Sequence, residues 1–269
     1  MRLAIEAGAA TQDLAVELGV HGVPLGASDV VRDGGKAVRD RLAQRGLEPC
    51  QLSAFELNAI KPTPDAVRLV ERAIEEAPRV GCATIVLAGG SYHDSIFGGA
   101  DRRNYTDQAI DRAAETLRPL TGRAEAAGVV LSIEPYVKSA VHSAESFLQL
   151  KRRVGSDALR INLDVTNFYD LRDLIDPGPI CREIIPLLAG HVGLVHIKEI
   201  RLEEGFHIHA GLAPITAGPT DWRLVLELAA QAAPPDCWVL LEHLSSREEA
   251  RASVAHLRSL AADAGVSLA

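Results

Sequence analysis

Eight short apolar runs, each followed by a longer segment of helical period, recur along the chain and constrain its fold more tightly than any other feature. The runs lie at 3–7, 20–25, 50–55, 84–88, 129–134, 160–165, 194–197 and 238–242. Several are continuously apolar, as parallel strands covered on both faces require. Between them, Val67, Val70, Ile74 and Ala77 recur at three- and four-residue spacing, as do Ile110, Ala113, Leu117 and Leu120. Thr63-Pro64-Asp65 supplies a helix N-cap with proline in the first turn. Ser246 and Glu249 have the spacing of a capping box, and Gly46 and Gly128 fall where helices end before strands. Strands alternating with helices imply a parallel sheet. A chain of 269 residues suits a closed (β/α)8 barrel, which takes about 250. The alternative, an open doubly wound sheet, calls for a glycine-rich phosphate loop after the first strand, and Gly8-Ala9-Ala10-Thr11 does not match one. With no linker or low-complexity segment in sight, the expectation is one TIM-barrel domain over residues 1–269.

Composition narrows the function classes. A hydrophobic fraction of 47% allows a substantial core, yet no apolar run reaches the roughly 20 residues that span a bilayer. The net charge of −8 argues against a nucleic-acid partner, because Lys151-Arg152-Arg153, the nearest basic cluster, reads as the polar end of a helix. Cys50, Cys82, Cys181 and Cys237 are far apart with no C-x-x-C pair, which suits buried thiols in a reducing compartment. Met1 leads straight into a strand without the pattern of a secretory signal, so a cytoplasmic enzyme is expected.

In a barrel, functional side chains project from strand C-termini. The fifth to eighth runs carry Glu134, Asp164, His196 and Glu242 there. Any one of these marks equally well where a strand meets solvent. Four converging on one mouth need a compensating cation, because unpaired carboxylates are costly to bury. Three carboxylates and an imidazole suit one divalent ion such as Mn2+, Mg2+, Co2+ or Zn2+.

The ordered set Ile133-Glu134-Pro135, Leu163-Asp164-x-x-Asn167, Val195-His196-Ile197-Lys198 and Leu241-Glu242 resembles the xylose-isomerase-like family of sugar isomerases and epimerases. The resemblance follows strand order over nearly the whole chain and is strongest from residue 129 onward. It implies Glu134, Asp164, His196 and Glu242 as metal ligands, with Glu134 and Glu242 also facing each other across the substrate as acid and base. Many members carry histidine where Asn167 stands; asparagine can hydrogen-bond a hydroxyl but cannot carry a proton at neutral pH. Arg201 is nearest to the family's substrate-contacting arginine, and Thr220 is expected to cap the helix that follows. Lys198, two residues beyond His196, faces the same side of the strand and is expected to touch substrate or pair with a ligand carboxylate. His93 and His209 complete the candidate substrate contacts, although His209 suits an exposed loop equally well. The stretch 95–104, with Gly98-Gly99 and Arg102-Arg103, could form a lid. Strand alternation is expected to turn His243 away from the pocket.

The expected function is a metal-dependent isomerase or epimerase of a small-molecule carbohydrate or polyol. One glutamate removes a proton next to a carbonyl and the other returns it. A dehydratase of a keto-inositol or dehydroshikimate-like substrate shares that first step. A non-catalytic sugar-binding barrel would have little reason to keep all four side chains. A DNA-repair endonuclease of the same superfold would need several more histidine ligands and a basic surface. Barrels of this kind commonly form a homo-oligomer, but no interface is legible.

Overall fold

Neighbouring residues along each strand divide between two apolar environments, and that division builds the barrel. The computed structural model describes residues 1–96 and 98–269. Its strands are β1 Arg2–Ile5, β2 Gly22–Gly26, β3 Glu48–Ser53, β4 Thr84–Ala88, β5 Val130–Glu134, β6 Leu159–Asp164, β7 Val192–Ile197, β8 Glu199–Leu202, β9 Ala210–Ala213 and β10 Trp238–Leu241. Eight close into a barrel in the order β1-β10-β7-β6-β5-β4-β3-β2, every pairing parallel. The remaining two, β8 and β9, form an antiparallel hairpin in which Ile200 faces Leu212. The (β/α)8 architecture expected from the alternating runs is therefore present. The hairpin is an insertion between the last two barrel strands.

Leu3, Ile5, Val239 and Leu241 join the main core shared with the helices, whereas Ala4 and Leu240 meet Cys50 in a separate cluster against which Trp238 packs. That small cluster is the apolar plug of the barrel interior. Gly22 is required beside it, since a Cβ there would lie 2.6 Å from the Cβ of Ala4 and clash with the Trp238 ring. We therefore expect Gly22→Ala to cost about 1–3 kcal/mol, as overpacking does, measured by urea denaturation. Unchanged stability would contradict this packing.

Helix ends largely follow the sequence. The Thr63 side chain accepts from Ala66 N at the start of the helix Pro64–Val80. Gly128, at φ 67°, ends the helix Asp107–Ala127. Two details differ. Ser246 caps Glu249 N, but the Glu249 carboxylate reaches back to Ser245 rather than Ser246, so the box does not close. Asp221, not Thr220, caps the helix Trp222–Ala232. Thr220 instead gives its hydroxyl to Glu199.

All four cysteines are free and buried, and burial pushes the Cys82 and Cys237 thiols up to about 12. Among the described residues, no helix is long and apolar enough to cross a membrane.

Candidate metal centre

The C-terminal ends of β5, β6, β7 and β10 bring Glu134, Asp164, His196 and Glu242 together, with one ligand-type atom from each lying within 4.8 Å of the others. Burial divides the four. Asp164 and His196 are sealed, at 0% and 1% exposure, whereas the Glu134 and Glu242 side chains keep 18% and 11%. Both glutamates line a cavity of about 1780 Å³ that opens at this end of the barrel.

Every member is held by a neighbour. His196 Nε2 lies 2.7 Å from Gln51 Oε1. The Gln51 amide nitrogen donates to Ser53 Oγ at 3.0 Å, which turns its carbonyl oxygen towards the imidazole. Nε2 therefore carries the proton, and Nδ1 faces Glu242 Oε2 at 3.1 Å and Glu134 Oε2 at 3.6 Å. Nδ1 is fully buried and has no hydrogen-bond partner of good geometry. A buried lone pair facing two carboxylates demands a cation, either a proton on Nδ1 or a metal. Burial of the imidazole opposes its charging, but Glu242 and Glu134 outweigh that and raise its pKa.

Asn167 donates from Nδ2 to Glu134 Oε1 at 3.0 Å and to Asp164 Oδ2 at 2.9 Å, bridging two of the carboxylates. Asn162 Nδ2 reaches Glu134 Oε2 at 3.3 Å, and the Thr166 hydroxyl donates to Asp164 Oδ1 at 2.8 Å. Lys198 Nζ donates to Asp164 and, at 3.0 Å, to Glu242 Oε1. The ion pair weighed beside substrate contact is thus present. Burial alone would raise the Glu242 pKa, but His196 and Lys198 hold it well below the usual carboxylate range. Three carboxylates against one ammonium leave two negative charges, which a divalent cation would balance. Donor set, charge and the unpartnered, buried lone pair of Nδ1 all fit such an ion.

The other sequence candidates lie elsewhere. His93 does not line the cavity; its Nδ1 accepts from the Ser95 and Ile96 amides and shapes their turn. Arg201 and His209 are exposed on the hairpin, whose Ile200, Gly211 and Leu212 line the cavity instead. In the expected lid, 95–104, Arg103 pairs with Asp101, and residue 97 lies outside the described residues. His243 overturns its expectation. The barrel strand ends at Leu241, and His243 takes φ 59°, the only positive value at a non-glycine among the described residues. Its ring turns back to the cavity, with Nε2 3.5 Å from Glu242 Oε1.

Sequence reasoning passed over Gln51 and Glu199. Gln51 was detectable as a polar residue inside an apolar run. Glu199 is buried and accepts from Thr220 Oγ1 and Trp222 Nε1 at 2.9 Å each, tying the start of the helix Trp222–Ala232 to the strand end. Burial raises its pKa against these hydrogen bonds.

Several solved structures share this fold. A xylose isomerase-like TIM barrel protein from Mycobacterium smegmatis, in complex with magnesium, is 18% identical with a TM-score of 0.72, over 94% of this chain and 87% of its own. A D-tagatose 3-epimerase-like protein is 17% identical with a TM-score of 0.75, over 98% of each chain. The IOLI protein with a zinc atom is 14% identical with a TM-score of 0.68, again over 98% of each. At such identities the likeness shows the fold alone. No curated protein matches the chain. The family model of the xylose isomerase-like TIM barrel matches residues 5–260, and the chain belongs to that family.

Proposed function

We propose that the chain is a divalent-metal-dependent epimerase or isomerase of a sugar or polyol-derived ketone, with Glu134 and Glu242 as its acid and base. One observation carries this reading: of the four clustered side chains, the two glutamates reach the cavity while Asp164 and His196 are sealed behind them. A cluster serving only to hold an ion has no need to present two carboxylates to a ligand-sized space. The solved epimerases of this fold, among them L-ribulose 3-epimerase, support the substrate class.

Glu134, Asp164, His196 and Glu242 would hold the metal, which when bound supplies Lewis acidity to a carbonyl and the hydroxyl beside it. The chain's own residues do the rest. Glu242, kept ionised by the Lys198 ammonium 3.0 Å away, is the base ready to take a proton from the carbon next to the carbonyl. Glu134, oriented by Asn162 and Asn167, returns a proton to the opposite face of that carbon, giving an epimer. Return to the neighbouring carbon gives the isomer. The Asn167 amide cannot move a proton, so its part is to fix two carboxylates in place.

The test is proton exchange. Protein loaded with Mn2+ or Mg2+ and incubated with ketoses in D2O should place deuterium on the carbon beside the carbonyl, with an epimer or isomer as product. Loss of water instead would point to a dehydratase. Ligand binding without any exchange would remove the enzymatic reading.

A further inference from the structure

We propose that Lys138 binds an anionic group, a carboxylate or a phosphate, at the end of the substrate remote from the reacting carbons. The inference rests on the reading above and deepens it, because it makes the substrate an acidic sugar rather than a neutral one.

Five lysine and arginine side chains line the cavity, and four of them already face carboxylates. Arg32 pairs with Asp29 and Asp33, Arg41 with Asp33, Arg45 with Asp13, and Lys198 with Asp164 and Glu242. Lys138 is the exception. It is half-buried, and among the described residues its ammonium meets no carboxylate, only the face of the Tyr136 ring 4.9 Å away. Among the described residues, this one cavity cation is left without an acid in a chain of net charge −8. A lysine ammonium is a compact point charge suited to an anion.

The backbone beneath it is fixed, as a binding platform needs to be. Tyr136 N donates to Val141 O at 3.0 Å, Val137 N to Asn167 O at 2.8 Å and Ala140 N to Gly90 O at 2.8 Å. The Lys138 carbonyl itself accepts from Asn104 Nδ2 at 2.7 Å, and Asn104 is fully buried. Val137 N thus ties the platform to Asn167, the residue that bridges two of the clustered carboxylates. Lys138 follows Glu134, the last residue of β5, by four residues, so the anchor lies on the loop that leaves the strand carrying one acid–base group. The Tyr136 ring, near Gly98 and under the Lys138 ammonium, lines the cavity beside it. A cavity of about 1780 Å³ also exceeds the roughly 300–1,000 Å³ of an ordinary ligand pocket, leaving room for a group beyond the sugar carbons.

The experiment is calorimetric titration of metal-loaded protein with three probes of one skeleton: D-fructose, D-fructose 6-phosphate and D-fructuronate. At least one anionic probe should bind the wild type about tenfold or more tightly than D-fructose, a difference of about 1.4 kcal/mol. Lys138→Gln should remove that preference, Lys138→Arg should keep most of it, and both should retain the wild-type metal content. Which anion gains more decides between phosphate and carboxylate. Equal affinity for the three probes, failure of both anions to bind, or a preference that survives Lys138→Gln would each overturn the proposal. Deuterium exchange is read separately. A charge preference without exchange would leave the anchor standing and remove the epimerase reading.

Discussion

Replacing Glu134 with glutamine should lower turnover and deuterium exchange by about 10²–10⁴-fold, the span that a positioned acid or base contributes, while leaving the fold intact. Glutamine keeps the shape of the side chain, and its one carbonyl oxygen can still accept from Asn167, which donates to Glu134 Oε1 at 3.0 Å, while the bond from Asn162 to Oε2 at 3.3 Å is lost. What it loses is the ability to carry a proton and one charged ligand of the metal centre, so exchange is read on protein saturated with metal. Glu242→Gln should show a loss of similar size, with a second effect. The Glu242 carboxylate also neutralises Lys198 and faces His196 Nδ1, so this variant should bind metal more weakly as well. Circular dichroism and urea unfolding establish that each variant folds. Wild-type exchange in Glu134→Gln would assign the proton transfers to other groups.

The second large effect acts through the partner of the His196 imidazole on β3. Gln51→Leu should weaken metal binding about 10–100-fold, as loss of the partner behind a metal-binding histidine does. Leucine fills the same space on β3 but offers no acceptor to His196 Nε2–H, which then sits buried and unpaired. The imidazole is freed to turn, and Nδ1 is no longer aimed at the carboxylates. Undiminished metal affinity in this variant would show that other contacts orient the ring.

The pH dependence follows from the same histidine, and its sign differs with and without metal. In chelated protein the raised pKa of His196 means that its charged form is favoured by folding. That contribution is fully present below the ordinary value of 6.5 and disappears as pH rises through the folded-state value. Metal needs the neutral imidazole, so stabilisation by metal grows as pH rises through the same window. The increase in melting temperature on adding metal should therefore be larger at pH 8 than at pH 6.

The fold was legible because buried parallel strands must be apolar on both faces, and the eight runs say so without help from long-range contacts. The clustered residues were legible for a related reason. A charged residue closing an apolar run, such as Glu134 or Asp164, is costly unless something compensates it, and four successive runs repeat the pattern. Gln51 escaped because its partner lies 145 residues away, and only closure of the barrel brings the two together. His243 escaped because alternation applies only while the strand lasts. One residue in the left-handed region was enough to turn its ring back to Glu242. Arg201 and His209 fell on a hairpin whose two strands present Ile200 and Leu212, not the polar residues, to the cavity. Nothing local in the sequence records which face of so short a hairpin turns inward.

The most direct test of the metal centre is elemental analysis of protein purified without chelator, set beside the Glu242→Ala variant. The account predicts about one divalent ion per chain in the wild type and little or none in the variant. A wild-type protein that remains empty after reconstitution with Mn2+, Mg2+, Co2+ and Zn2+ would contradict it.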